Sequence, residues 1–152
     1  MKLANALSQR SELQERIRQL EARLLDNAKV QEGESPAEEP ADLLAQLEEA
    51  CGQLERLIAC INRTNSATLV GGTPLSGLLA RRDVWKKKLQ ILRDFLSSAS
   101  ELATRRTVGE IKIRSTVNVR EMQKQLDAAS KALRELDEAI QEANWTTELL
   151  EE

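Results

Sequence analysis

The chain has neither histidine nor tyrosine in its 152 residues. Lack of histidine removes the commonest general base and metal ligand. With it go the Ser–His and Cys–His nucleophile pairs and the Glu-x-x-His motif of di-iron bundles. Neither a P-loop nor a GxGxxG fingerprint occurs. Aromatic residues are limited to Trp85, Phe95 and Trp145. No uncharged apolar run reaches the ~18 residues of a membrane span, and Met1 to Arg10 lacks the apolar block of a signal peptide, so a cytoplasmic protein is expected. The two cysteines, Cys51 and Cys60, lie nine apart in one helical stretch. About 900° of rotation and roughly 13–14 Å of rise separate them, too far for an intrachain disulfide. Buried or neutral unpaired thiols are expected.

What is present is helical. Leu, Ala, Glu, Gln, Lys and Arg dominate, the composition of long helices and coiled coils, and the length suits a single domain spanning residues 1–152. The clearest stretch is Val119 to Ala143. Val119, Met122, Leu126, Ala129, Leu133, Leu136, Ile140 and Ala143 recur at steps of three and four, which places all of them along one side of a helix. Asn118 with Glu121 three places on makes a capping box before it. The positions flanking the seam (Gln123, Gln125, Ser130, Ala132, Asp137 and Ala139) are small or neutral except Asp137. A two-stranded coil usually carries opposed charges there, so a bundle with several close neighbours is expected.

The spacing predicts three more helices. The first covers about residues 3–31, with Leu13, Ile17, Leu20 and Leu24 as its stripe, Leu3, Leu7 and Ala28 extending it, and Gly33 placed to end it. The second covers about 41–62 behind Pro40, with Leu44, Leu47, Cys51, Leu54, Ile58 and Ile61 on one side and Leu43, Ala50 and Leu57 widening it. Gly52 inside it suggests close approach of another helix. The third covers about 74–104, with Thr73 as cap and Pro74 at the first helical position. Its main seam runs through Leu78, Arg82, Trp85, Leu89, Leu92, Leu96, Ala99 and Ala103, and a second edge through Val84, Ile91, Phe95 and Leu102. Two apolar edges predict the most buried helix of the set. Between the third and fourth helices, residues 107–118 break the period. Ile111, Ile113 and Val117 punctuate polar residues, predicting a short strand or extended arm. It must pair either with Ala67 to Val70 or with its own copy in a second subunit, and the second is favoured because symmetry supplies the partner. The expected architecture is therefore all-α: an antiparallel four-helix, coiled-coil-like bundle with an arm near 110–117, forming a homodimer or larger even oligomer.

Charge is strongly segregated. Residues 32–55 hold eight acids and no base, residues 81–120 hold eleven bases and four acids, and residues 135–152 hold seven acids and no base. Helices of opposite charge lying side by side explain this; a basic surface for an anionic partner is the sharper alternative. Lys86, Lys87 and Lys88 fan over about 200° of a helix and have no aromatic platform beside them, so no specific nucleic-acid binding is expected. Glu12 with Glu15 and Glu135 with Glu138 could offer paired acids to Mg²⁺, as in all-helical nucleotide pyrophosphohydrolases. In the heptad frame Glu135, Glu138 and Glu142 point away from the seam, against that use. No cofactor, metal or catalytic residue is expected. The uncharged segment from Thr64 to Ala80 leaves a membrane-active alternative.

In an up-down-up-down bundle, one end gathers Asn62, Arg63, Thr64 and Asn65 with Arg81, Arg82 and Asp83, and with Asn144, Trp145, Thr146, Thr147 and Glu148. Neutral hydrogen-bonders, arginines and helix starts suit an anion or partner site. The plainer reading makes them helix caps that pin the tail, with Trp145 closing the core.

The runs Val30-Gln31-Glu32-Gly33-Glu34, Ile61 to Asn65, Ala80 to Asp83, Glu110-Ile111-Lys112 with Ser115-Thr116-Val117, and Ile140 to Leu149 resemble the septicolysin-like family of small uncharacterised bacterial proteins. The resemblance covers nearly the whole chain. It implies an all-helical, coiled-coil-like fold with self-association, supplies no catalytic residue, and suggests a cytolysin only through its name.

Overall fold

The computed structural model describes residues 1–101 and 111–151. Helices α1 (Leu3–Asp26), α2 (Pro40–Ala67), α3 (Leu75–Ser100) and α4 (Val119–Thr146) make a mainly all-α protein. A minimal hairpin, β1 (Leu69–Val70) and β2 (Thr73–Pro74), links α2 to α3. Contacts divide the chain into two compact units, Met1–Pro74 with Ala143–Glu152, and Leu75–Glu142.

The first unit is built on α1 against α2, running antiparallel. Leu20, Leu43 and Ala50 are buried together, with Ile17, Leu24 and Leu47 packed on them. The stripe expected for α1 is in place except at its end, where Ala28 is exposed. The helix stops at Asp26, before the expected 31. Asn27 ends it: its Nδ2 donates to the Arg23 carbonyl at 2.8 Å and its Oδ1 accepts the Glu38 N–H at 3.0 Å. Such side-chain bonds compete with continued helix. Gly33 sits in the connector at φ +86° instead, a conformation open to glycine. Arg23 then clasps Glu38, its Nε 2.9 Å from Oε2.

Pro40 opens α2 at its first turn as expected. The buried row is Leu43, Ala50, Leu57, Ile61 and Thr64, so the residues expected to widen the side are its centre, with Leu47, Leu54 and Ile58 half-buried beside them. Leu44 is 54% exposed and Cys51 is exposed. The helix carries two overlapping apolar rows, and the partner stripe on α1 selects between them. Gly52 admits no close neighbour, since a Cβ there would meet only the Arg56 Nη1 at 3.7 Å. The helix also runs on to Ala67, so Asn62 to Asn65 lie within its last turns and do not cap it.

Thr73 and Pro74 form β2 and not the start of the third helix. Leu69 pairs with Pro74 and Val70 with Thr73. Gly71 and Gly72, at φ +57° and +83°, occupy the two turn positions that a tight hairpin requires with positive φ. This hairpin gives Leu69 and Val70 their partner in β2.

The second unit is α3 against α4, also antiparallel. Leu89, Leu96 and Leu126 are buried, with Leu92, Val119, Met122, Ala129 and Leu133 packed on them. Every seam position of α4 from Val119 to Ala143 is buried or half-buried, while Glu135, Glu138 and Glu142 are exposed. The Asn118 Oδ1 accepts the Glu121 N–H at 3.0 Å, the forward half of the predicted capping box. The expectation that α3 is the most buried helix fails. Its main seam is covered except at Trp85, which is exposed, and its second edge is not: Val84 is 64%, Ile91 59% and Phe95 44% exposed. Ala103 and Leu102, and residues 107–110 of the arm, lie outside the described residues. Residues 111–118 form no strand; Ile111 and Ile113 are exposed, and the Ser115 Oγ accepts the Val117 N–H at 3.3 Å in a bend.

Candidate functional site

Two sets of residues compete for a functional role. The first is the polar group predicted at one end of a bundle. Within the first unit, two of its three runs meet. After α4 the chain lies alongside its own first residues: the Leu3 N–H donates to the Thr147 carbonyl at 2.9 Å and the Leu149 N–H to the Met1 carbonyl at 2.8 Å. Lys2 bridges to Glu148, Nζ to Oε1 at 2.6 Å. That hydrogen bond, and then the lysine charge, lowers the Glu148 pKa below the ordinary glutamate value. Thr64 is fully buried and ties the tail to α2. Its Oγ1 donates to the Cys60 carbonyl at 2.7 Å and accepts the Leu150 N–H at 2.9 Å. Asn144 is buried, whereas Trp145 is 62% exposed and does not close the core. Asn62 and Arg63 are exposed and Asn65 half-buried.

The third run belongs to the second unit. Arg82 reaches across to α4, its Nη1 3.2 Å from the Asp137 Oδ1, with its Nε 3.7 Å from the adjacent Asp83. Arg81 lies over the Trp85 ring, 5.9 Å from its centroid, within cation–π range. Arg82 thus serves the α3–α4 contact, while Thr64, Thr146, Thr147 and Glu148 pin the tail to α2 and to the first residues.

The second set is the uncovered edge of α3. Val84, Ile91 and Phe95 share one side of the helix, bracketed by Lys87 and Lys88. Beside that row, Trp85, Lys88, Leu89 and Leu92 of α3 and Gln125, Ala129 and Ala132 of α4 line a groove of about 330 Å³. The floor is low because α4 offers alanines where a leucine would fill the space. Sequence reasoning identified the row but placed it in the core. The bracketing lysines were the available signal, since lysine is almost never fully buried without a partner. Among the described residues, no three His, Cys, Asp or Glu side chains converge to hold a metal ion, and no helix is long and apolar enough to cross a membrane.

Paired antiparallel helices with an exposed apolar edge on α3 define a mainly all-α protein. The chain belongs to a family described as "Family of unknown function (DUF6847)", which matches residues 10–149. This family match overturns the septicolysin-like resemblance. The chain is also similar to a functionally unknown conserved protein from Corynebacterium diphtheriae known from its crystal structure. The two are 43% identical, with 99% of each chain covered and a TM-score of 0.91. No curated protein matches the chain.

Proposed function

We propose that this is a non-enzymatic assembly or binding protein that works through the outer face of α3. The observation that carries the reading is the exposed row of Val84, Ile91 and Phe95, which lies on α3 outside its seam with α4. Exposed apolar rows of this kind mark interaction surfaces. The acids that a Mg²⁺-dependent hydrolase would need give it no support, because Glu135 and Glu138 point outward from the pair. The family match gives the cytolysin alternative no support either.

The test is turnover. A panel of nucleoside triphosphates with Mg²⁺ should be hydrolysed no faster with the protein than without it. Hydrolysis that disappears in Glu12→Gln or Glu135→Gln would overturn the reading. Dye release from anionic liposomes should stay at the buffer rate, and leakage abolished by changes within Thr64 to Ala80 would favour membrane action instead.

A further inference from the structure

We propose that the groove between α3 and α4 binds a small aromatic carboxylate, its rings laid between Trp85 and Leu92 and its carboxylate on Lys88. The groove borders the outer face of α3, so this rests on the contact reading above and adds a class of ligand to it.

The two sides of the α3–α4 seam are closed differently. On one side the helices are bridged, Arg82 reaching Asp137 at 3.2 Å and Arg93 reaching the Ser130 hydroxyl at 3.4 Å. Ala132 stands about 200° around α4 from Ser130, on the other side. No α4 side chain there is long enough to cross, and a groove of about 330 Å³ stays open. That volume is at the lower end of the range of small-ligand pockets, ~300–1,000 Å³.

The groove leaves an aromatic surface uncovered. Trp85 occupies a seam position and yet is 37% exposed, because the α4 wall consists of Ala129 and Ala132. Leu92 is two turns further along α3, about 10 Å away, which is the length of a two-ring system. A flat ring in this slot covers the indole and the leucine with no rearrangement of either helix. Offset or edge-on contact with Trp85 then favours an aromatic over an aliphatic occupant.

Charge fixes the sign of the ligand. Lys88, between Trp85 and Leu92, is the one charged residue lining the groove, and among the described residues it has no ion-pair partner. Arg81 adds a second positive charge over the Trp85 ring. The two α4 acids nearest in sequence to Ala129 and Ala132 are engaged elsewhere: Asp127 accepts from the Gln123 amide and Glu135 lies 4.0 Å from the Lys131 ammonium. An anion is therefore the complement, and a carboxylate on the ring brings it to the lysine.

Nuclear magnetic resonance on the full chain, titrated with 2-naphthoate, tests this. The chain has two indole N–H signals, and Trp145→Phe identifies that of Trp85. The Trp85 signal and the Ala132 amide should shift saturably while the Trp145 signal stays in place. Lys88→Gln should weaken binding about tenfold or more, the loss of one charged hydrogen bond. Ala132→Leu should abolish it by filling the groove, with circular dichroism still helical. Methyl 2-naphthoate, 2-naphthylmethylamine and decanoate, which lack the charge, its sign or the ring, should each bind more weakly than 2-naphthoate. The proposal is overturned if millimolar 2-naphthoate leaves Trp85 unmoved, if Lys88→Gln or Ala132→Leu binds as the wild type does, or if any of the three analogues binds as tightly. An empty groove leaves the contact reading standing, whereas nucleotide turnover sinks that reading without altering these shifts.

Discussion

At Thr64 a single hydroxyl joins α2 to the residues that follow α4. It donates to Cys60 and accepts from Leu150 with no exposure to water. Thr64→Val keeps the shape and removes both bonds, leaving the Leu150 N–H without its partner. A loss of about 1–3 kcal/mol in urea unfolding is expected, together with faster amide exchange at Leu150; Thr64→Ser should retain most of both. Gly52 is the opposite case. Its missing Cβ serves no neighbour, so Gly52→Ala should stabilise by up to about 1 kcal/mol, read as a higher thermal midpoint.

Glu38 and Glu148 set a pH dependence at the same scale. Hydrogen bonds from Arg23 and Lys2 hold their carboxyl groups below the ordinary glutamate value. A group whose folded pKa is lowered stabilises the fold above its unfolded pKa of about 4.3, and that contribution disappears as pH falls through the lower folded value. Thermal midpoints should therefore drop on acidification below about pH 4.3, and the double change Glu38→Gln with Glu148→Gln should flatten that drop. Both carboxylates are well exposed to solvent, so the effect is modest.

At the scale of the element, α4 is the helix that its own period describes best. Its seam residues all turn inward and its c and f positions outward. Ile140→Ala truncates a fully buried side chain and should cost about 2–5 kcal/mol in urea unfolding. Leu133→Ala and Leu136→Ala, at half-buried positions, should cost less. Glu138→Ala should be near neutral. Equal effects at all four sites would refute the seam. For α2 and α3 the period was legible, and on α3 the main seam too, but not how far the second apolar row of each helix would be buried. On α2 the row through Leu43, Ala50 and Leu57 won against α1. On α3 the row through Leu89 and Leu96 won against α4, and the other stayed in water. The ends of α1 and α3 were misplaced for a local reason: Asn27 and the Gly71–Gly72 turn satisfy backbone groups in ways that periodicity does not register.

For the whole molecule, the chain builds two cores, one around Leu20, Leu43 and Ala50 and one around Leu89, Leu96 and Leu126, in the units Met1–Pro74 with Ala143–Glu152 and Leu75–Glu142. The residues after α4 complete the first unit through Thr64 and Lys2. The segregated charges meet in part within each unit, where Arg23 pairs with Glu38 and Arg82 with Asp137.

Helix number, helix type, the α4 seam and its Asn118 cap follow from the sequence by itself, because heptad spacing and capping are properties of neighbours along the chain. Which of two apolar rows is buried, where α1 stops, and that Trp145 and the outer edge of α3 face solvent were decided only by tertiary structure. Those outcomes depend on which helix arrives as partner, and a one-residue rotation of a helix changes every contact without changing a single spacing.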